Sequence, residues 1–149
     1  MKIIFFVSGT PRPGGSKTIG RTASGELFLR DAGGKGNAIW RRAVREAARH
    51  AMDGRPVLTG PLSLAVHFWL PRPKSHFGTG KHACRLKPGA PVSHVIAPDA
   101  TKLLRSTEDA LTGIVWVDDS QVVTQLATKN YQTTLTSVGA TIEVFSWRS

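Results

Sequence analysis

The chain has 149 residues, 40% of them hydrophobic and 20% charged, which fits one domain (residues 1–149) with a sizeable buried core. No apolar run approaches the roughly 18–20 residues that span a bilayer, so no membrane partner is expected. Twenty Lys and Arg against ten Asp and Glu leave a net charge of +10, and such an excess draws polyanions by counterion release and long-range steering.

Residues 2–8 (KIIFFVS) predict a strand from their apolar and aromatic content. The same stretch resembles the start of a signal peptide. It is shorter than an h-region, however, and Pro11 and Pro13 follow it directly. The single Cys84 cannot form an internal disulfide, which fits a reducing cytoplasm.

Residues 9–21 (GTPRPGGSKTIGR) read as a Gly/Pro/Ser loop carrying Arg12, Lys17 and Arg21. Gly9 and Gly14 have the separation of a phosphate-binding P-loop. Gly15 and Ser16 stand where that motif needs Lys and then Ser or Thr, and Pro11 and Pro13 lack the N–H groups that would cradle phosphate. No nucleotide cofactor is therefore expected. Contact with a DNA backbone suits the loop better.

Residues 37–53 predict the first helix, with Asn37 as its cap, Gly54 as its stop, and Trp40, Val44, Ala47 and Ala51 on the apolar face. Arg41, Arg42, Arg45 and Arg49 fall on the other side, as a solvated face or a DNA-facing one. Residues 62–70 (LSLAVHFWL) predict a buried strand in which His67 is a satisfied core residue.

Residues 71–98 form a long irregular stretch with Arg72, Lys74, Lys81, Arg85 and Lys87 and not one acid, which predicts a flexible basic loop that orders on DNA. His82, Cys84 and His94 are too irregularly spaced for a zinc site. Residues 100–112 predict a second helix stopped by Gly113. Residues 121–129 and 133–147 predict two strands, paired as a hairpin around Asn130. The order βαβ, loop, αββ predicts an α+β fold: a small mixed or antiparallel sheet with two main helices.

Five of the ten acids, Asp99, Glu108, Asp109, Asp118 and Asp119, fall within the 21 residues from Asp99 to Asp119. Clustered carboxylates repel an anionic backbone unless a cation lies between them, and a divalent metal is the natural candidate. At 100° per residue, Thr101, Arg105, Glu108 and Thr112 lie within about 60° of one another, while Leu103, Thr107, Ala110 and Ile114 share the opposite side. Simpler readings exist for each acid. Asp99 can be a helix cap, Arg105 with Glu108 an i,i+3 surface pair, and Asp118-Asp119 an Asx-turn before a strand.

Taken together, these segments resemble the RusA family of Holliday-junction resolvases. That family carries P-D-x-D-N-L-x-K-x-x-x-D-A-L followed by aromatic-x-D-D-x-Q-V. Here the stretch from Pro98-Asp99-Ala100-Thr101-Lys102 through Arg105 to Asp109-Ala110-Leu111 is followed by Trp116-Val117-Asp118-Asp119-Ser120-Gln121-Val122. The opening strand and the loop after it extend the similarity more weakly.

The resemblance implies a RusA-like fold, a homodimer acting on branched DNA, and Mg²⁺ as cofactor with Mn²⁺ able to substitute. It puts Asp99 and Asp119 at the catalytic, metal-binding aspartates and Arg105 at the essential lysine. Two departures stand out. Thr101 replaces the second aspartate of the D-x-D pair, and Arg105 keeps the charge of a lysine without its shape. Glu108, two turns beyond Thr101 on the same face, is expected to supply the missing carboxylate. Asp118 is a further candidate ligand, and Lys102 joins Arg12, Lys17, Arg21, Lys74, Lys81, Arg85 and Lys87 as a DNA contact. The competing functions are a non-catalytic basic DNA-binding protein and a metal nuclease acting on other branched or single-stranded DNA.

Overall fold

A computed structural model describes residues 1–14, 17–31 and 34–147. Strand β1 (Lys2–Ser8) is followed by a hairpin of β2 (Lys17–Arg21) and β3 (Leu27–Asp31), then helix α1 (Gly34–Met52) and strand β4 (Leu62–Leu70). Helix α2 (Ala100–Leu111) and strands β5 (Val122–Tyr131) and β6 (Gly139–Ser146) complete the chain. The class is α+β, as expected. β1, β6, β4 and β5 form one mixed sheet in that order, and β2 with β3 form a separate two-stranded sheet.

Period-2 burial sets the sheet's inner face. Leu62, Leu64, Val66, Phe68 and Leu70 of β4 are all buried, as are Ala140, Ile142 and Val144 of β6 and Ile3 and Val7 of β1. The two helices cover this face: Trp40, Val44, Ala48 and Met52 of α1 and Leu103, Leu104, Ala110 and Leu111 of α2 join the same core. Residues between them on β4 are only half-buried, so His67 lies on the outer face. It is satisfied there by Thr128 at 2.8 Å rather than within the core.

Several expectations are corrected. The expected hairpin around Asn130 does not form. Asn130 lies inside β5, which pairs in parallel with β4, and β6 inserts antiparallel between β1 and β4. Local alternation marks both strands but says nothing about partners. A parallel neighbour also needs a long crossover, which residues 71–121 provide.

Asn37 does not cap α1. The helix starts at Gly34, and Asn37 is buried within it, accepting a hydrogen bond from Ser106 Oγ of α2. A tertiary contact here outweighs the capping preference. The 9–21 loop is partly strand: β2 pairs with β3, closed by a turn in which Gly25 (φ 90°) donates to Thr22 O at 2.9 Å. Gly15 and Ser16 lie outside the described residues.

Residues 71–98 are not structureless either. They contain 3₁₀ turns at Lys74–His76 and Gly80–His82. Gly78 N–H donates to Arg85 O and Lys87 N–H to His76 O, both at 2.9 Å. Arg72 donates to Gln132 O and Pro91 O at 2.7 Å each, and Lys129 Nζ reaches Ile96 O and Pro98 O. Composition could not show this order, because backbone carbonyls supply the partners.

Candidate active site

α2 carries the acidic motif, and its amphipathic pattern fixes how it lies. Leu103, Leu104, Ser106, Thr107, Ala110 and Leu111 are buried, while Thr101, Lys102 and Arg105 are exposed and Glu108 and Thr112 half-buried. Trp40 Nε1 of α1 donates to Thr107 Oγ1 at 3.2 Å, which locks the helix rotation.

Past its C-terminus, Gly113 takes a left-handed conformation (φ 80°) that favours glycine, and its N–H donates to Trp116 O at 2.7 Å. This turn brings Trp116 and Asp119 back over the last turn of the helix. Trp116 Nε1 then donates to Asp119 Oδ1 at 3.0 Å, and Thr112 Oγ1 donates to the same oxygen.

Gln121 holds the loop from the other side. Its Oε1 accepts from the N–H groups of Val117 (2.9 Å) and Asp118 (3.1 Å), and its Nε2 donates to Leu58 O at 3.0 Å. Asp118 is exposed and caps the 3₁₀ turn Asp119–Gln121 by accepting from Ser120 N–H at 2.8 Å. The Ser120 hydroxyl first, and then this N–H, hold the Asp118 carboxyl below its ordinary value. Its carboxylate is therefore engaged in shaping the turn.

Glu108 lies near Asp119. Gln125 of β5 donates to Glu108 Oε1 at 2.6 Å. Burial first, and then the negative charge of Asp119, raise the Glu108 carboxyl above its ordinary value; the Gln125 bond offsets this in part. The alternative reading of an i,i+3 ion pair with Arg105 is not met, for neither Glu108 nor Asp119 has an ion-pair partner among the described residues, although the Arg105 charge acts on Glu108 at longer range. Oε2 of Glu108 and Oδ2 of Asp119 likewise have no hydrogen-bond partner there. Two carboxylates, each with one oxygen anchored and one open, form an all-oxygen donor set that suits a hard divalent cation retaining its own waters.

Asp99 is not part of this pair. It occupies the N-cap position of α2 without a side-chain capping bond, is 68% exposed, and lies 3.7 Å from Lys102 Nζ. Nine residues of helix put it about 13 Å of rise from Glu108. The expected convergence of Asp99, Glu108 and Asp119 is thus corrected: no three His, Cys, Asp or Glu side chains among the described residues gather as a metal-holding group. A helix start and a helix end cannot share one ion.

Asp99 and Lys102 instead border an open cleft of about 500 Å³ with Arg12, Pro98 and His94. The loop before β2 is held there because Gly14 N–H donates to Lys102 O at 3.1 Å and Gly14 packs so closely on Ser106 that a β-carbon would come within 3.0 Å of it.

The other expected DNA contacts are dispersed. Lys17 and Arg21 are exposed on the β2–β3 hairpin. Lys74 and Lys87 line a hollow in the 71–98 stretch, and Lys81 and Arg85 are exposed on it. Sequence reading missed the roles of Gln125, Trp116 and His94. Trp116 was visible as the aromatic of the motif, though its role as a donor was not. Gln125 gave no signal, because its partner lies 17 residues away across a helix and a turn. His94 is buried beside Tyr131, its Nδ1 without a partner among the described residues. Burial and Lys129 lower its pKa.

Comparison with known proteins adds two findings. The family model for endodeoxyribonuclease RusA matches residues 9–144. An uncharacterized protein of Bacillus subtilis (strain 168), YqaN, is 29% identical over 129 residues, covering 87% of each chain.

Proposed function

Because the chain belongs to the RusA family of endodeoxyribonucleases, we propose that it resolves four-way DNA junctions by hydrolysing phosphodiester bonds, with Mg²⁺ as its ion and Mn²⁺ able to replace it. The observation that carries this reading is the Glu108–Asp119 pair: two adjacent carboxylates with no ion pair among the described residues, on a chain of net charge +10. A bound divalent ion would supply an activated water and a counter-charge for the scissile phosphate.

The chain's own residues do the rest. Glu108 and Asp119 would hold the ion, while Gln125, Thr112 and Trp116 fix the orientation of the two carboxylates. Glu108 stands in for the aspartate that Thr101 lacks. Arg105, exposed between Asp99 and Glu108 on α2, neutralises the phosphate as charge builds on it. A strand laid along α2 meets Asp99, Arg12 and Lys102 at one end and the carboxylate pair at the other. Asp99 acts from that cleft, on the incoming strand, and Asp118 holds the turn.

A C₂ homodimer matches the two symmetric strands of a junction. The β2–β3 hairpin supports assembly, since Ile19, Leu27 and Leu29 are 69, 64 and 67% exposed there. Among the described residues no helix is long and apolar enough to cross a membrane, and we place the enzyme in the cytoplasm with its DNA.

The test is cleavage of a synthetic four-way junction with Mg²⁺ and with chelator. Symmetric nicking only with Mg²⁺, lost in Glu108→Gln and Asp119→Asn while binding persists, is the expected result. Metal-independent cutting, or none, would overturn the proposal. Preferential cutting of flaps or single strands would transfer the same site to another substrate.

A further inference from the structure

We infer that the arginine groove along α1 is a second backbone-binding site, which grips a duplex DNA arm away from the carboxylate pair. Arg41, Arg42, Arg45 and Arg49, together with Asn37, line an open groove of about 540 Å³. The four arginines lie within an arc of about 100° and about 12 Å of helix rise. That rise equals the spacing of three to four phosphates along one strand of a duplex, at about 3.4 Å each.

Ordinary solvated arginines on a helix are commonly matched by acids at i±3 or i±4. Here none of the four has an ion pair among the described residues, and Glu46 is the single acid of α1. Arg41 Nε is buried with no hydrogen-bond partner there.

Arg12 stands between this groove and the cleft at Asp99. Arg12 lines that cleft, and its side chain lies directly over Gly36 in the first turn of α1, where a β-carbon would come within 3.3 Å of Arg12 Nε. Lys102, Arg12 and the four arginines therefore form one basic track from the start of α2 across α1.

The inference rests on the proposal that the chain acts on DNA, and it is tested by binding rather than cleavage. The full chain and its Arg42→Gln/Arg45→Gln/Arg49→Gln variant are titrated onto a linear duplex and a four-way junction across a salt series. Three lost contacts should flatten the slope of log K against log[salt] by about 2.7, which is roughly 500-fold at 0.1 M relative to 1 M salt. The Arg42→Lys/Arg45→Lys/Arg49→Lys variant should keep most of the slope. Single Arg42→Gln and Arg49→Gln variants, both at exposed positions, should each lose about 0.9 and guard against a triple variant that does not fold.

An unchanged slope in the glutamine variants, or an equal loss in the lysine variant, would overturn the inference. Failure of the wild-type chain to cut junctions would sink the proposed activity and leave this result standing.

Discussion

Replacing Glu108 with glutamine removes one of two neighbouring charges while leaving the shape and the acceptor that Gln125 uses, so the variant separates repulsion from packing. Burial and the charge of Asp119 raise the folded-state pKa of Glu108. A raised carboxyl pKa favours the protonated folded state, so its contribution to stability is present below the unfolded value and is lost as pH rises through the folded one. Without divalent ions, Glu108→Gln should therefore be at least as stable as wild type at pH 8, and that advantage should fade as pH falls towards the ordinary carboxylate range.

Divalent ions should reverse the ranking. At one hundred times its Kd, an ion bound only by the folded chain adds about 2.7 kcal/mol. In a domain of about this size that is a rise in Tm of about 5–11 °C. If Glu108 is a ligand and its loss weakens binding about 100-fold, the same Mg²⁺ concentration leaves only RT ln 2, about 0.4 kcal/mol, or a rise of about 1–2 °C. Calorimetry at pH 8 with and without Mg²⁺ reads both effects in one pair of scans. A variant that is clearly destabilised without Mg²⁺ yet keeps the full Mg²⁺ increment would refute the reasoning.

Trp116→Phe keeps the buried ring but removes the donor to Asp119 Oδ1. Divalent affinity should fall about 10–100-fold, measurable by isothermal titration, and wild-type affinity would show that Asp119 needs no such anchor. Asp99→Asn should abolish junction cleavage with junction binding kept or tightened and the Mg²⁺ increment in Tm intact, because Asp99 stands apart from the pair; loss of that increment would join it to the ion. Lys81→Ala/Arg85→Ala/Lys87→Ala should flatten the salt slope of DNA binding by about 0.9 per lost phosphate contact, and an unchanged slope would remove this segment from the interface. Leu103→Ala, at a fully buried position, should cost about 2–5 kcal/mol in chemical denaturation, and a cost below 1 kcal/mol would contradict the packing described.

How much the sequence disclosed depended on whether a feature was local. Strand 62–70 and helix 100–112 were legible almost to the residue, because burial imposes their periodicities directly. The acidic motif was legible as well, and so was the split of α2 into an apolar and a polar face. What escaped were the partners. The alternation of β5 is the same whether it pairs with β6 or with β4. The place of Asn37 depends on Ser106, 69 residues away. Spacing on a helix face put Glu108 with Thr101, and the family resemblance put Asp119 in the same group. Grouping Asp99 with them failed because residues close along a motif were assumed close along the axis, where about 13 Å intervenes.

The pairing of β1 with β6 has a bearing on how this molecule comes into being. Lys2 sits opposite Phe145, and Met1 hydrogen-bonds Ser146. The sheet's first strand must therefore wait for nearly the last-made part of the domain before it has a neighbour. Contacts that close so wide a loop form slowly, and until β6 arrives one edge of β4 stands open to strands of other chains. A growing chain that has emerged only as far as Tyr131 already carries every carboxylate of the candidate site on a half-built scaffold. Synthesis thus delays the completion of the scaffold under the candidate site until β6 is made.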